Sequence, residues 1–347
     1  MKKIKILFHI GFGKTATTWM QRQIFPKIKN SVYFGKYGKD DLMLNETFHK
    51  LYYELFHPLY DLQRYRSRNS AYLIRKCADA ISSEIIDKHQ KSGKKVDSAI
   101  LSNETMLSYG TYNAELNVVQ LKRVAERVKL NLLNLFSVEI QILVTFREQC
   151  SLLQSFYAYD YPHQVDKYPS FDDFIEDGVV NHHNEIFGSL WTDEIIYFVK
   201  SIFNNDTVLF VPYEILQQEG QSAFLENTVV KLGLMEKDDI EVFGRTPKEN
   251  INKSQGGGNR LRDVSWLSKI LDSASRHYKF LVPKPMYETL KRVVITIQNK
   301  QKVIVKQEIK ITQKQCQQIR DLYRGSNTRT AELVSFDLEK LGYSVKK

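Results

Sequence analysis

Cysteine is scarce in this 347-residue chain: there are three, Cys77, Cys150 and Cys316, and no two have CxxC spacing. Neither the cysteine density of a disulfide-stapled secreted fold nor the ligand spacing of a zinc cage is present, so a reducing compartment is expected. Long apolar runs are missing too. The opening MKKIKILFHIGFGK holds only a short apolar stretch, interrupted by His9 and Gly11, and nothing later nears the roughly 18 uninterrupted apolar residues of a spanning helix. The expectation is a cytoplasmic protein. Basic pairs such as Lys94-Lys95 and Lys346-Lys347 leave a peripheral contact with an anionic inner membrane face open, although such lysines more often simply face solvent. Internal repeats and low-complexity tracts are also absent.

What is present is positive charge and an ordinary globular interior. Fifty Lys and Arg against 40 Asp and Glu give a formal charge of +10, and 42% of residues are hydrophobic. An excess of this sign favours polyanionic ligands. The basic residues are nevertheless dispersed, with no basic helix and no aromatic RNA-binding motif, which argues against nucleic acid as the partner.

Four runs read as buried strands: residues 4–10 (IKILFHI), 97–101 (DSAIL), 139–146 (EIQILVTF) and 207–211 (TVLFV). Helical stretches separate them, including a helix entered at Thr17 and bent or ended by Pro26, and a strongly amphipathic one over 115–135. This alternation predicts an α/β fold with a P-loop-like central parallel sheet flanked by helices. One domain is expected over 1–347, with a helical insertion at about 42–93 and a helical C-terminal region at about 262–347. The β-branched run VVITI at 293–297 fits neither pattern, and NINKSQGGGNR (250–260) is the clearest loop.

Between the first strand and its helix lies GFGKTATT, Gly11 to Thr18. A turn of this kind aims backbone N–H groups and the positive end of a helix dipole at one spot, which suits a phosphate or sulfate. Gly11 and Gly13 permit close backbone approach, Lys14 adds a point charge, Ala16 sits in the turn, and Thr15, Thr17 and Thr18 add hydroxyls. Walker A requires a glycine six residues before its lysine, and that position is Phe8. The strand EIQILVTF ends in Arg147 and not in an Asp that would hold Mg²⁺. Both departures tell against an ATPase or kinase.

HIGFGKTATTWMQ resembles the 5′-phosphosulfate loop of the sulfotransferases that use 3′-phosphoadenosine 5′-phosphosulfate (PAPS), with Ala16 where that family usually has glycine. VTFREQCSLLQSFYAYDY resembles their 3′-phosphate motif, an Arg ending a strand and a Ser eight residues later, here Arg147 and Ser155. ILSNETML, TVLFVPYEIL, INKS and the C-terminal DLYRGSNTRTAEL with DLEKLGY resemble further segments of bacterial carbohydrate-type members, so the likeness runs from about residue 4 to 343. The resemblance implies transfer of a sulfuryl group from PAPS to an acceptor hydroxyl on a carbohydrate or glycolipid, with no metal.

That chemistry needs positive charge on the leaving oxygen, a role for Lys14 and the loop amides, and a base for the acceptor's proton. Glu104 is the first choice of base because it follows a strand end, where a parallel sheet opens its crevice; equally, it could be an acid in a helix's first turn beside Ser102 or Asn103 as cap. His9 is the second choice, against the commoner role of a hydrogen-bonded core histidine, and His49 the third. Lys253 and Arg260 of the glycine-rich loop are expected on the 3′-phosphate side if that loop folds over the nucleotide. Tyr157, Tyr159 and Tyr161 would offer faces for sugar stacking near the acceptor entrance. Two other classes stay open: a nucleotide kinase with a degenerate P-loop, and a basic non-enzymatic polyanion-binding protein.

Overall fold

The run IKILFHI is apolar at almost every position, and as β1 (Lys2–Ile10) it is the middle strand of a five-stranded sheet, with Ile4, Ile6, Leu7 and Phe8 all fully buried. Successive strand side chains alternate between faces, so burial of neighbours means that both faces are covered. The computed structural model describes residues 1–35, 55, 62–91, 95–104, 106–107, 111–164, 167–183, 185–204, 206–244, 260–263 and 304–346. The other sheet strands are β2 (Ser31–Phe34), β3 (Ser98–Asn103), β4 (Phe136–Phe146) and β5 (Thr207–Pro212). All pair in parallel, in the order β2-β3-β1-β4-β5.

This order decides where a ligand can sit. From β1 the chain travels to β2 on one side of the sheet, and from β4 it travels to β5 on the other. The direction reverses between the adjacent strands β1 and β4, and a crevice opens at their carboxyl ends.

Helices flank the sheet. A short α1 (Thr17–Trp19) runs through a π-helical turn (Met20–Ile24) into a 3₁₀ turn (Phe25–Lys27) carrying Pro26. The longer helices are α2 (Leu62–Lys91), α3 (Thr111–Leu132), α4 (Gln149–Gln164), α5 (Phe171–Val180), α6 (Thr192–Ile202) and α7 (Gln313–Leu333). In α3, Val118, Leu121, Val124, Ala125, Val128 and Leu132 recur three and four apart and are all buried, each worth about 1.5–3 kcal/mol for the larger side chains. Its apolar stripe packs on α2, whose Ile74, Cys77, Ala78, Ile81 and Ile85 follow the same period. Thr312 starts α7 with a reciprocal cap: its hydroxyl accepts from Gln315 N at 3.2 Å and its own N–H donates to Gln315 Oε1 at 2.9 Å. α7 then packs on α4, α5 and α6. Among the described residues no helix is long and apolar enough to cross a membrane.

The four expected strands and the α3 helix are present, with ends shifted by a few residues. Three points differ from expectation. Ser31–Phe34 forms a fifth strand that the sequence does not announce. Arg260–Asp263 (β6) and Ile304–Glu308 (β7) pair as an antiparallel ribbon, so the C-terminal region is not wholly helical. The α3 helix begins at Thr111 and stops at Leu132, before the turn 133–135. The run 293–297 and residues 42–61, Leu55 apart, lie outside the described residues.

Candidate functional site

The loop after β1 is pinned to the end of β4. Phe12 N donates to Thr145 O at 3.2 Å, and a β-carbon added at Gly11 would lie 2.5 Å from Thr145 Oγ1, so this position accepts only glycine without displacing β4. At Gly13 an added β-carbon would meet nothing within 4 Å: the chain there borders open space. Lys14 (φ 68°) and Ala16 (φ 64°) both occupy the left-handed region. Ala16 O then accepts from Met20 N at 3.0 Å and starts the helix.

A left-handed non-glycine residue costs roughly 1–2 kcal/mol. Glycine at position 16 would remove that strain while adding about 0.4–1 kcal/mol of chain entropy to the unfolded state. Ala16→Gly is therefore expected to raise stability in urea by about 0.5–1 kcal/mol; a loss of stability would show that the left-handed turn is not strained.

The loop's threonines divide in role. Thr15 is fully buried, and its hydroxyl donates to Phe12 O (2.6 Å) and lies 2.8 Å from Thr145 Oγ1. It faces the protein, so as a hydroxyl donor to a ligand Thr15 is corrected, and only its backbone N–H remains for such a role. The Thr17 hydroxyl donates to Glu104 Oε2. Thr18 is half-exposed.

His9 is also turned inward. It is fully buried, with Nδ1 2.8 Å from Ser102 Oγ, Nε2 3.4 Å from Thr145 Oγ1 and its ring edge-on to Phe25. Ser102 Oγ also accepts from Gln21 Nε2 at 3.0 Å. This network joins β1, β3, β4 and the loop, and it leaves His9 no surface for a substrate: of its two readings, second-choice base and hydrogen-bonded core histidine, the geometry matches the core histidine and corrects the base. Burial lowers its pKa to about 3. The folded chain therefore keeps His9 neutral, while the unfolded chain takes up a proton below about pH 6.5. Stability is lost as pH falls from 6.5 toward 3, by about 2 kcal/mol at pH 5 from this group. In urea titrations at pH 7 and pH 5 the parent should lose about that much more than His9→Gln; equal losses would mean that His9 is charged in the fold.

Glu104 directly follows β3, half-exposed, with its carboxylate on Thr17. Arg147 directly follows β4. Its Nη1 donates to Lys14 O at 3.0 Å, its Nε donates to Ser151 Oγ at 3.0 Å, and its guanidinium lies 4.8 Å over the Tyr213 ring. Nη2 makes no hydrogen bond to a described residue. Ser155 lies one helical turn beyond Ser151 on the same side of α4, half-exposed. Ser151, which no sequence motif marks, is the residue that holds Arg147.

Behind Arg147 lies the buried carboxylate of Glu214, in the segment TVLFVPYEIL, to which the sequence assigned no role. Glu214 Oε1 accepts from Glu148 N at 3.0 Å, and Oε2 accepts from Tyr343 OH at 2.7 Å. Burial pushes its pKa up, against those bonds and the nearby Arg147.

The loop Gly11–Thr18, Glu104, Arg147 and Ser155 thus gather at the carboxyl end of the sheet. The strand β6 that begins at Arg260 lies against α4, while Lys253 and His49 are outside the described residues. Tyr157 is not at an entrance: it is buried against Phe171 and Phe174, its hydroxyl donating to Tyr168 O at 2.9 Å. Tyr159 and Tyr161 lie on α4, but their side chains are outside the described residues. Compared with models of known protein families and with curated proteins, the chain matches none.

Proposed function

We propose that this chain is a sulfotransferase that takes its sulfuryl group from PAPS, with Gly11–Thr18 as a P-loop-like cradle for the 5′ end and Arg147 with Ser155 for the 3′-phosphate. The observation that carries this reading is the 3.0 Å bond from Arg147 Nη1 to the Lys14 carbonyl. Two anion-type motifs 133 residues apart in sequence meet where β1 and β4 end, at the point where the chain's direction reverses.

The residues present fit a ligand with two anionic ends. Open space borders Gly13, two left-handed residues shape the loop, and Arg147 keeps an Nη2 donor while two of its other donors are fixed by the protein. When bound, the donor supplies a sulfuryl group on a phosphate leaving group. The loop amides and Lys14 stabilise the charge that develops on the leaving oxygen. Glu104 takes the proton of the attacking acceptor hydroxyl, and Thr17, bonded to it, sets its orientation. A carbohydrate or glycolipid hydroxyl is the proposed acceptor, on the sequence resemblance alone.

Calorimetry with 3′-phosphoadenosine 5′-phosphate (PAP) tests the reading. Micromolar binding that persists in EDTA is expected, with a loss of roughly 10- to 100-fold in Lys14→Ala. Unchanged affinity in Lys14→Ala rejects the loop assignment, and turnover of ATP that EDTA abolishes would identify a kinase instead.

A further inference from the structure

Cys150 and Cys316 are 166 residues apart in sequence, and the fold places their sulfurs 2.8 Å apart. Cys150 lies in the first turn of α4 and Cys316 in the first turn of α7. The two helices are tied along their contact by other groups. Gln149 and Asn327 exchange amide hydrogen bonds at 2.8 and 3.2 Å, and Gln154 Nε2 of α4 donates at 2.7 Å to Ile309 O, just ahead of α7. The sulfurs are therefore held together by a scaffold that does not depend on them. A disulfide bond is about 2.05 Å long, so closure asks each sulfur to move by only about 0.4 Å.

Glu148 completes a group of three ligand types, all within 4.8 Å of one another. Tetrahedral zinc at about 2.3 Å from each sulfur would hold the sulfurs nearly 4 Å apart, well beyond the observed separation. The Glu148 carboxylate is already engaged, Oε2 accepting from Ser151 N at 2.9 Å and Oε1 lying 3.9 Å from Arg320 Nε. The cluster suits a bond between its sulfurs better than an ion.

We propose that Cys150 and Cys316 form a reversible dithiol–disulfide pair that, on reaction with a small-molecule disulfide, staples the first turn of α4 to the first turn of α7. Cys316 is the half-exposed member and Cys150 the buried one, so the reagent meets Cys316 first. The Cys316 thiolate attacks one sulfur of the small disulfide, forming a mixed disulfide and expelling one thiolate. Cys150 then loses its proton to that base and attacks the Cys316 sulfur, expelling the second small thiolate. Two protein thiols are oxidised and one small disulfide is reduced to two thiols. The inference uses only the α4–α7 contact and stands whatever ligand the loop after β1 takes.

Folded protein treated with oxidised glutathione is expected to fall from three titratable thiols per chain, counted in denaturant, to one. It should remain monomeric on a non-reducing gel and yield a peptide pair linked through Cys150 and Cys316. Its melting temperature should rise by roughly 5 °C or more, as closing so long a loop predicts, and dithiothreitol should reverse every change. Cys316→Ser, at a half-exposed position, should show none of these responses while folding normally. A thiol count that stays at three, a glutathione adduct on Cys316 that never closes, or a linkage through the buried Cys77 would each overturn the pair. Purified protein carrying about one zinc per chain, lost in Cys316→Ser, would overturn it in favour of a metal site.

Discussion

Arg147→Ala is expected to lose roughly 30- to 100-fold in affinity for PAP while binding adenosine 5′-monophosphate (AMP) much as the parent does. The two nucleotides differ only in the 3′-phosphate, so the comparison isolates that group. Arg147 enters the encounter already ordered: Ser151 Oγ fixes Nε, the Lys14 carbonyl fixes Nη1, and the Tyr213 ring lies beneath the guanidinium. A charge-assisted bond from Nη2 then forms with little side-chain entropy left to lose, which places its value near the upper part of the usual range, about 2–3 kcal/mol. The AMP measurement guards against an indirect effect, because truncating Arg147 also leaves the Lys14 carbonyl without its donor and could loosen the loop. Equal losses for both nucleotides would assign Arg147 to holding the loop and remove it from the 3′-phosphate. Arg147→Lys should fall between parent and alanine variant, since an ammonium keeps the charge but not the fork.

How far the sequence spoke for the fold follows from burial. β1 and β4 are covered on both faces and read as nearly continuous apolar runs, which is why IKILFHI and EIQILVTF are recognisable as strands. Among the described residues Ser31–Phe34 is an edge strand of four residues, paired only to β3, and too short to display a period. RLRD at 260–263 carries three charges in four residues and becomes β6 only through its pairing with Ile304–Glu308, information held some forty residues away. In the site, the loop after β1 and Arg147 were legible because each combines a strand end with a local residue pattern. The supporting shell was not. Ser102, Thr145 and Gln21 are common residue types whose place in the His9 network depends on which strands lie side by side. Ser151 and Ser155 share a side of α4, and spacing alone cannot tell which of the two the Arg147 Nε reaches.

Glu214 lies in the recognised segment TVLFVPYEIL, but its part in holding the start of α4 depends on contacts that the sequence does not show. Glu214→Ala is expected to destabilise the fold by about 3–4 kcal/mol, because it strands the Glu148 N–H and the Tyr343 hydroxyl in a buried place and opens a cavity between them. The Glu148 N–H is one of the unpaired donors at the start of α4, so the loss falls on the turn that carries Arg147 and Ser151. Glu214→Gln separates hydrogen bonding from charge. Its amide oxygen can accept from Glu148 N and its amide nitrogen can donate to Tyr343 Oη, so at neutral pH its cost should stay below about 1 kcal/mol. The pH dependence then has a definite sign. Burial raises the folded pKa of Glu214, so the folded chain holds this proton to higher pH than the unfolded chain does, and the parent's stability from this group is complete below the unfolded pKa and declines as pH rises through the folded one. Urea titrations from acid to neutral pH should accordingly show Glu214→Gln gaining on the parent as pH increases; a glutamine variant that falls further behind on the way to neutrality would mean that the carboxylate's charge, and not its hydrogen bonds, holds Tyr343 and the start of α4 together.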